Sequence, residues 1–217
     1  LRSWSLDLIQ SLPGQTLEGW NHQLDQTIAT GSPHVSIYDL SVEPGTVFHH
    51  RLNKGDLTLL EDDLSCDLMA MTSARLSEAG FRRYEISNHA RPGHASRHNR
   101  VYWSGAGWWG FGMGATSAPW GERVARPRTR EAYAAWLNDP REPEGGIGVP
   151  LDEQLLVGLR REEGMDLSAF NLSPAQITAL EKRWAPFLVD GLMQRRAGRW
   201  CLKDPEGMAL SHRVLLE

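Results

Sequence analysis

Residues 4–40, WSLDLIQSLPGQTLEGWNHQLDQTIATGSPHVSIYDL, decide the fold class. The segment Trp4 to Ile9 is apolar and short, the pattern of a buried strand, and Leu12-Pro13-Gly14-Gln15 ends it in a turn. Leu17, Trp20, Leu24 and Ile28 then recur at helical spacing, with Gly31 and Pro33 as the stop. Val35 to Leu40 is the next strand, with few charges and two β-branched residues. Strand, helix and strand within about forty residues form the βαβ signature of a parallel sheet.

The pattern continues outward. A loop is expected over Ser41 to Asp56. A long helix then covers roughly Leu57 to Ala79, with an apolar stripe of Leu60, Leu64, Leu68, Met71 and Leu76. Arg83 to Ile86 reads as a third short strand, giving three parallel strands with an open upstream edge. Ser87 to Gly107 has no clean period and reads as an ordered functional loop, and Trp108 to Ala118 as a strand entering a glycine-rich turn. Thr129 caps a short helix to Leu137, and Asn138 to Val149 is the best linker. Beyond it, a helix spans Asp152 to Arg161, and the capping box Ser173-Pro174-Ala175-Gln176 starts another that ends near Trp184. A hairpin turns at Ala197-Gly198, and Asp204-Pro205 opens a final helix. Helix, helix, hairpin, helix resembles a winged-helix module.

Composition bounds what the chain does. Of 217 residues, 41% are hydrophobic and 23% charged, ordinary for a soluble globular protein. No run approaches the roughly 18 apolar residues of a membrane span. Two cysteines, Cys66 and Cys201, make neither a disulfide framework nor a metal quartet, so a reducing cytoplasm is the expected setting. Both read as inert packing residues. The chain starts at Leu1 directly before a strand, from which an upstream extension is expected. Nine Trp point to a large aromatic core or a flat apolar ligand. Between Arg82 and Arg130, nine arginines face only Glu85 and Glu122, a local +7 inside a chain of net −4. An Arg- and Trp-rich segment in an acidic protein suits a planar or anionic group. Residues 150–217 carry nine basic and ten acidic residues, a balance that argues against nucleic-acid binding and for a packing or docking module.

Four segments in order, SLDLIQSLPGQT (Ser5–Thr16), VSIYDLSVEPGT (Val35–Thr46), YEISNHARPG (Tyr84–Gly93) and RHNRVYW (Arg97–Trp103), resemble the HemW-type haem chaperones of the oxygen-independent coproporphyrinogen III oxidase group of radical SAM proteins. GFGMGATS (Gly110–Ser117) and DEQLLVGLRREEGMDL (Asp152–Leu167) continue the match, so it covers nearly the whole chain. RHNxxYW is the piece that separates haem chaperones from the oxidases. The chain departs from the group at His89, where Phe is common, and at Thr116, where His is common.

The resemblance implies an α/β fold: the carboxyl-terminal part of an incomplete TIM-like radical SAM barrel over 1–140, then a small α+β winged-helix-like module over 141–217. It implies S-adenosylmethionine (SAM) and a [4Fe–4S] cluster held by C-x-x-x-C-x-x-C, a motif this chain lacks. Asp7, expected at the carboxyl end of its strand where barrel ligands bind, is implied to accept a hydrogen bond from SAM. Ser41 and Ala118 match two further SAM-facing positions. A carboxylate in the run Leu6-Asp7-Leu8-Ile9 is costly to bury without partners, and the alternative is a structural carboxylate paired with an Arg of the same barrel.

In RHNRVYW, the resemblance implies haem. His98 supplies an imidazole for the iron, Tyr102 and Trp103 flank the macrocycle, and Arg97 and Arg100, with Arg91 nearby, pair the propionates. His94 and His89 are secondary ligand candidates. Glu43, Glu85 and Asn88 are candidates for substrate contact. The alternative is a structural role, in which the segment closes the barrel and His98 bonds to backbone. Three functions follow: haem trafficking to client proteins, radical SAM decarboxylation of coproporphyrinogen III, or a cofactor-free fragment. Enzymatic activity stays open, because the cluster ligands lie outside this sequence.

Overall fold

In the computed structural model, which describes residues 1–141, 143 and 148–216, packing divides the chain into two compact units. One comprises Leu1–Ala95 with Arg160–Glu217, the other Ser96–Leu159. This division does not follow the compositional linker. Positions 142 and 144–147 of that linker lie outside the described residues.

The first unit begins as its sequence dictates. Strand β1 (Ser5–Gln10) leads to α1 (Leu17–Ala29), whose first turn is closed by Thr16 accepting from the Gly19 amide at 3.1 Å. Strand β2 (His34–Asp39) then pairs in parallel with β1, from Ser5 opposite His34 to Gln10 opposite Asp39. The stretch 41–56 is not all loop, because α2 (Val47–Lys54) forms within it, capped by Thr46 and stopped by Gly55 in the left-handed region. The long helix α3 covers Asp62–Glu78.

β3 (Arg82–Glu85) turns at Ile86-Ser87 into β4 (Asn88–Ala90), and the sheet order is β1-β2-β4-β3. The expected third strand therefore runs parallel to the first two but is not β2's neighbour, since β4 lies antiparallel between them. The hairpin is local chemistry: the Glu85 carboxylate accepts from the Ser87 amide at 3.0 Å and from the Asn88 side chain.

Alternation sorts the sheet. Leu8, Val35 and Ile37 pack with Trp20 and Leu24 of α1 and with Leu68, Leu76 and Phe81. A polar chain crosses this face. The fully buried Trp20 indole donates to Thr72 Oγ1 at 2.8 Å, and Thr72 lies 3.1 Å from Gln10 Oε1.

The carboxyl-terminal part of the unit has a 3₁₀ turn at Leu167–Ala169, α7 (Pro174–Val189) with the expected capping box, the hairpin β7 (Met193–Arg196) and β8 (Arg199–Leu202), then α8 (Glu206–Ala209) and α9 (Ser211–Leu216). Residues 160–165 stitch it to the sheet. Glu162 N donates to Tyr84 O at 3.1 Å, and Met165 exchanges two backbone bonds with Trp200 of β8. Glycine is required at 164: its φ is +62°, and a Cβ there would lie 2.1 Å from the Trp200 carbonyl oxygen.

The second unit holds α4 (Arg97–Trp103), the two-stranded β5 (Thr116–Ser117) and β6 (Val124–Ala125), α5 (Arg130–Trp136) and α6 (Leu151–Leu159). RHNRVYW, expected in a loop, is a two-turn helix begun by Ser96, which accepts from Asn99 N. The stretch 108–118 doubles back on itself, with Trp108 and Ala118 exchanging backbone bonds of 2.8 and 3.3 Å.

Replacing Thr72 with Val keeps the volume but strands the Trp20 N–H in the core. Urea unfolding should show a loss of about 1–3 kcal/mol, whereas Thr72→Ser should cost less than Thr72→Val.

Candidate functional site

Helix α4 turns a run of seven residues into two faces. Asn99, Tyr102 and Trp103 are half-buried, while Arg97, His98, Arg100 and Val101 are exposed. His98 and Tyr102, one turn apart, meet edge to face with ring centroids 4.8 Å apart. Tyr102 packs at 4.7 Å on Trp108, and the Arg123 guanidinium lies 5.8 Å from the Trp108 ring. Arg123 is also paired with Glu153 of α6. An imidazole is thus held in the open against an aromatic chain, with cations beside it in sequence. Tyr102 is the aromatic edge-on to His98, and the indole nitrogen of Trp103 is buried. Trp108 and Arg123 belong to the arrangement but were not singled out from sequence; Trp108 sits among glycines and looks like core.

The same unit exposes a second aromatic group. Trp109 and Trp120 meet edge to face at 5.7 Å, and Arg126 lies over Phe111 at 5.6 Å and over Trp136 at 5.1 Å.

In the first unit, the sheet face opposite the α1–α3 core is polar. It presents Ser5, Asp7, His34, Ser36, Tyr84 and Asn88, and Asp7 stands opposite Ser36, which stands opposite Asn88. Asp7 is the third of six strand residues and is exposed. It is therefore neither at the strand's carboxyl end nor buried, and it meets Ser5 Oγ (3.3 Å) rather than an arginine. The reason is the alternation itself, which puts Leu8 and Gln10 in the core and Asp7 outside. Ser41 is exposed just past β2, whereas Ala118 is buried in the second unit. His34 is buried between Ser5 Oγ and the Tyr84 hydroxyl, 2.8 Å from each. Burial lowers its pKa below the ordinary 6.5, opposed by the Asp7 charge. Ser5, His34 and Tyr84 went unremarked in the sequence, although polar residues at every second position of two adjacent strands were the signal.

On the core side of β4, His89 is almost fully buried and accepts from Arg83 Nε at 3.0 Å through Nε2. Burial, then the Arg83 charge, holds its pKa well below 6.5. It is a neutral structural partner of Arg83 rather than an open ligand. His94 is half-buried near Ser3 Oγ at 3.3 Å. Arg91 stacks over Phe81 at 4.6 Å within the first unit. Glu43 is exposed, while Glu85 is fully buried and occupied by Ser87, Asn88 and Arg160. A cleft of about 490 Å³ opens beside Arg83, His89 and Asp204. Its cations Arg82, Arg83 and Arg196 are each matched by Glu162 or Asp204.

A [4Fe–4S] cluster does not fit the thiols present. Cys66 is exposed on α3 rather than packed as expected, and Cys201 is buried on β8. Both thiol pKa values are raised, by desolvation first and, for Cys66, then by Asp63, Asp62 and Asp67. Among the described residues, no group of three His, Cys, Asp or Glu is placed to hold a metal ion, and no helix is long and apolar enough to cross a membrane.

No family model matches the chain. It is 37% identical over 99% of its length to the haem chaperone HemW of Synechocystis, covering 58% of that protein. It is 34% identical over 91% to HemW of Mycobacterium tuberculosis, covering 50%. It is 31% identical over 95% to the mitochondrial radical S-adenosyl methionine domain-containing protein 1 of Danio rerio, covering 49%. The chain thus spans about half the length of these relatives. Among solved structures, coproporphyrinogen III oxidase (HemN) of Escherichia coli, a radical SAM enzyme, matches with a TM-score of 0.68 and 18% identity, over 98% of this chain and 54% of that one. At that identity the likeness speaks for the fold.

His34 and His89 bind protons less readily folded than unfolded. Their neutral forms therefore carry full stability above about pH 6.5, and stability falls as the pH drops below it. Urea midpoints measured from pH 8 to pH 5 should decrease, and His34→Gln should flatten part of the slope.

Proposed function

Because this chain belongs to the HemW/HemN-like radical SAM family, we propose that it forms the haem-holding part of a haem-trafficking protein and corresponds to the family's carboxyl-terminal portion. In this reading, residues 1–140 supply the last strands of a partial barrel, and 141–217 supply a winged-helix-like module. The cluster belongs to residues outside this chain, since the thiols here do not fit it. SAM, where the whole protein binds it, is met in the first unit by Asp7 and Ser41. Delivery of haem to client proteins is the activity this implies.

One observation carries the proposal: α4 presents His98 in the open, braced edge to face by Tyr102, with Arg97 and Arg100 exposed on the same short helix. Haem as cargo asks for an axial nitrogen, aromatic surface against its plane and cations for two propionates. Imidazole is a usual nitrogen donor to haem iron. Tyr102, backed by Trp108, offers the aromatic contact. The guanidinium groups offer charge-assisted bonds to carboxylates. An exposed site also suits a carrier, which has to release what it holds.

Haem titration of the chain followed at the Soret band tests this. His98→Ala should shift the Soret maximum and weaken binding. Arg97→Ala and Arg100→Ala should leave the spectrum unchanged and weaken affinity about threefold each, the effect of an exposed ion pair worth ~0.7 kcal/mol. Identical titrations for all three variants would make α4 structural and remove the haem reading from it.

Anaerobic reconstitution of this polypeptide alone, with iron, sulfide, reductant and SAM, should give no 5′-deoxyadenosine above the protein-free control. The sequence contains two cysteines, and three thiolates are needed.

A further inference from the structure

We propose that Ser5, His34 and Tyr84 form a hydrogen-bonded relay across β1, β2 and β3 that positions the Asp7 carboxylate. The inference rests on the reading of Asp7 as a ligand acceptor and assigns three residues to its support.

The distances define the chain: Tyr84 Oη to His34 Nε2 is 2.8 Å, His34 Nδ1 to Ser5 Oγ is 2.8 Å, and Ser5 Oγ to Asp7 Oδ1 is 3.3 Å. His34 and Tyr84 are buried and held by the sheet, whereas Asp7 is exposed at the open end. The line therefore runs from a fixed interior to a free carboxylate, the arrangement by which an outer group is oriented from behind.

Counting protons sets its direction. Ser5 has one O–H, and its possible acceptors are the Asp7 carboxylate, His34 Nδ1, the Ser36 hydroxyl at 3.4 Å and the Leu6 carbonyl at 3.4 Å. A carboxylate is the strongest acceptor of the four, since charge-assisted bonds are roughly twice as strong as neutral ones. With the Ser5 proton on Asp7, Ser5 Oγ accepts from His34 Nδ1–H. Nε2 then bears a lone pair and accepts the Tyr84 O–H. Each of the three donors finds one acceptor, and His34 is neutral, in keeping with its burial.

Reversal leaves a deficit. If His34 carried its proton on Nε2, Ser5 would have to donate to Nδ1, and Asp7 would lose the Ser5 hydroxyl as a donor. The tautomer of a buried histidine thus reports whether the Asp7 carboxylate is gripped. Without Ser5, Asp7 turns freely on an exposed strand. Without Tyr84, Nε2 is buried without its donor and the Nδ1–H tautomer is no longer favoured.

Long-range ¹H–¹⁵N correlation spectra of the ¹⁵N-histidine-labelled chain at pH 7.5, with His34→Gln to assign the signal, read the tautomer directly. The proposal expects Nδ1–H in the unaltered chain and a shift toward Nε2–H in Asp7→Ala, where the Ser5 proton is released to His34. Nε2–H in the unaltered chain, or a tautomer unmoved by Asp7→Ala, overturns the relay. Titration with SAM supplies the second readout. Ser5→Ala and Tyr84→Phe should each weaken binding three- to tenfold, Asp7→Ala should weaken it further, and the Ser5→Ala/Tyr84→Phe pair should be no weaker than Ser5→Ala. Effects of the pair that multiply overturn the serial relay. If Asp7→Ala leaves SAM affinity unchanged, or the chain binds no SAM, the ligand reading of Asp7 fails while the tautomer still decides the relay.

Discussion

Two buried charges two residues apart on one four-residue strand, Arg83 and Glu85 of β3, set the terms for the first unit. Their side chains are almost fully shielded, and an unpaired buried ion costs several kcal/mol. The partners come from far along the chain. Arg83 meets Asp204 at 3.2 Å and Glu85 meets Arg160 at 3.4 Å. Asp204 is in turn held by Ser73 of α3, with both carboxylate oxygens 3.1 Å from the hydroxyl. The carboxyl-terminal helices and hairpin are therefore packed into the same unit as the sheet, with residues 96–159 set apart as the other. An independent terminal module would have left both strand charges without their partners.

The two candidate sites inherit this organisation differently. The polar row Asp7, Ser36 and Asn88 lies across a sheet whose register is fixed by the parallel β1–β2 pair and by the hairpin that Glu85 closes. Its donors and acceptors are set by backbone geometry. The α4 site is built from contacts along a short helix, with His98 on Tyr102 and Tyr102 on Trp108. A sheet-supported polar row that ends on the exposed Asp7 suits a ligand that must be held in one orientation. An exposed imidazole on a two-turn helix suits a ligand that is taken up and passed on. The two requirements fall in two separate compact units.

Much of the first unit was legible in sequence because local signals agree there. Trp20, Leu24 and Leu68 keep helical spacing, Ser173 caps where its side chain predicts, and Ala197-Gly198 turns the last hairpin. What was not legible depended on distance. Nothing in Arg83-Tyr84-Glu85 announces partners at 160 and 204, so the boundary suggested by the Pro- and Gly-rich stretch near 140 had no competitor. β4 was missed because three residues carry no period, and α4 because Arg, His and Asn at its start conceal a helix begun by Ser96. In the candidate sites, the motif RHNRVYW drew notice to His98, Arg97 and Arg100. Asp7 was noticed for the wrong reason, as a buried carboxylate, when its interest lies in being exposed next to a buried histidine.

The central claim is that the 160–217 segment belongs to the sheet because it neutralises the charges of β3. A double-mutant cycle on Glu85 and Arg160, using Glu85→Gln, Arg160→Met and the pair, followed by urea unfolding, tests it most directly. Arg160→Met should be strongly destabilising, by about 3–5 kcal/mol, as it leaves a buried carboxylate unpaired. The double variant should recover much of that loss, with a coupling of about 1–3 kcal/mol. Losses that simply add, to within about 0.5 kcal/mol, would mean that the two residues are neighbours without being partners and that something else holds the segment to the sheet.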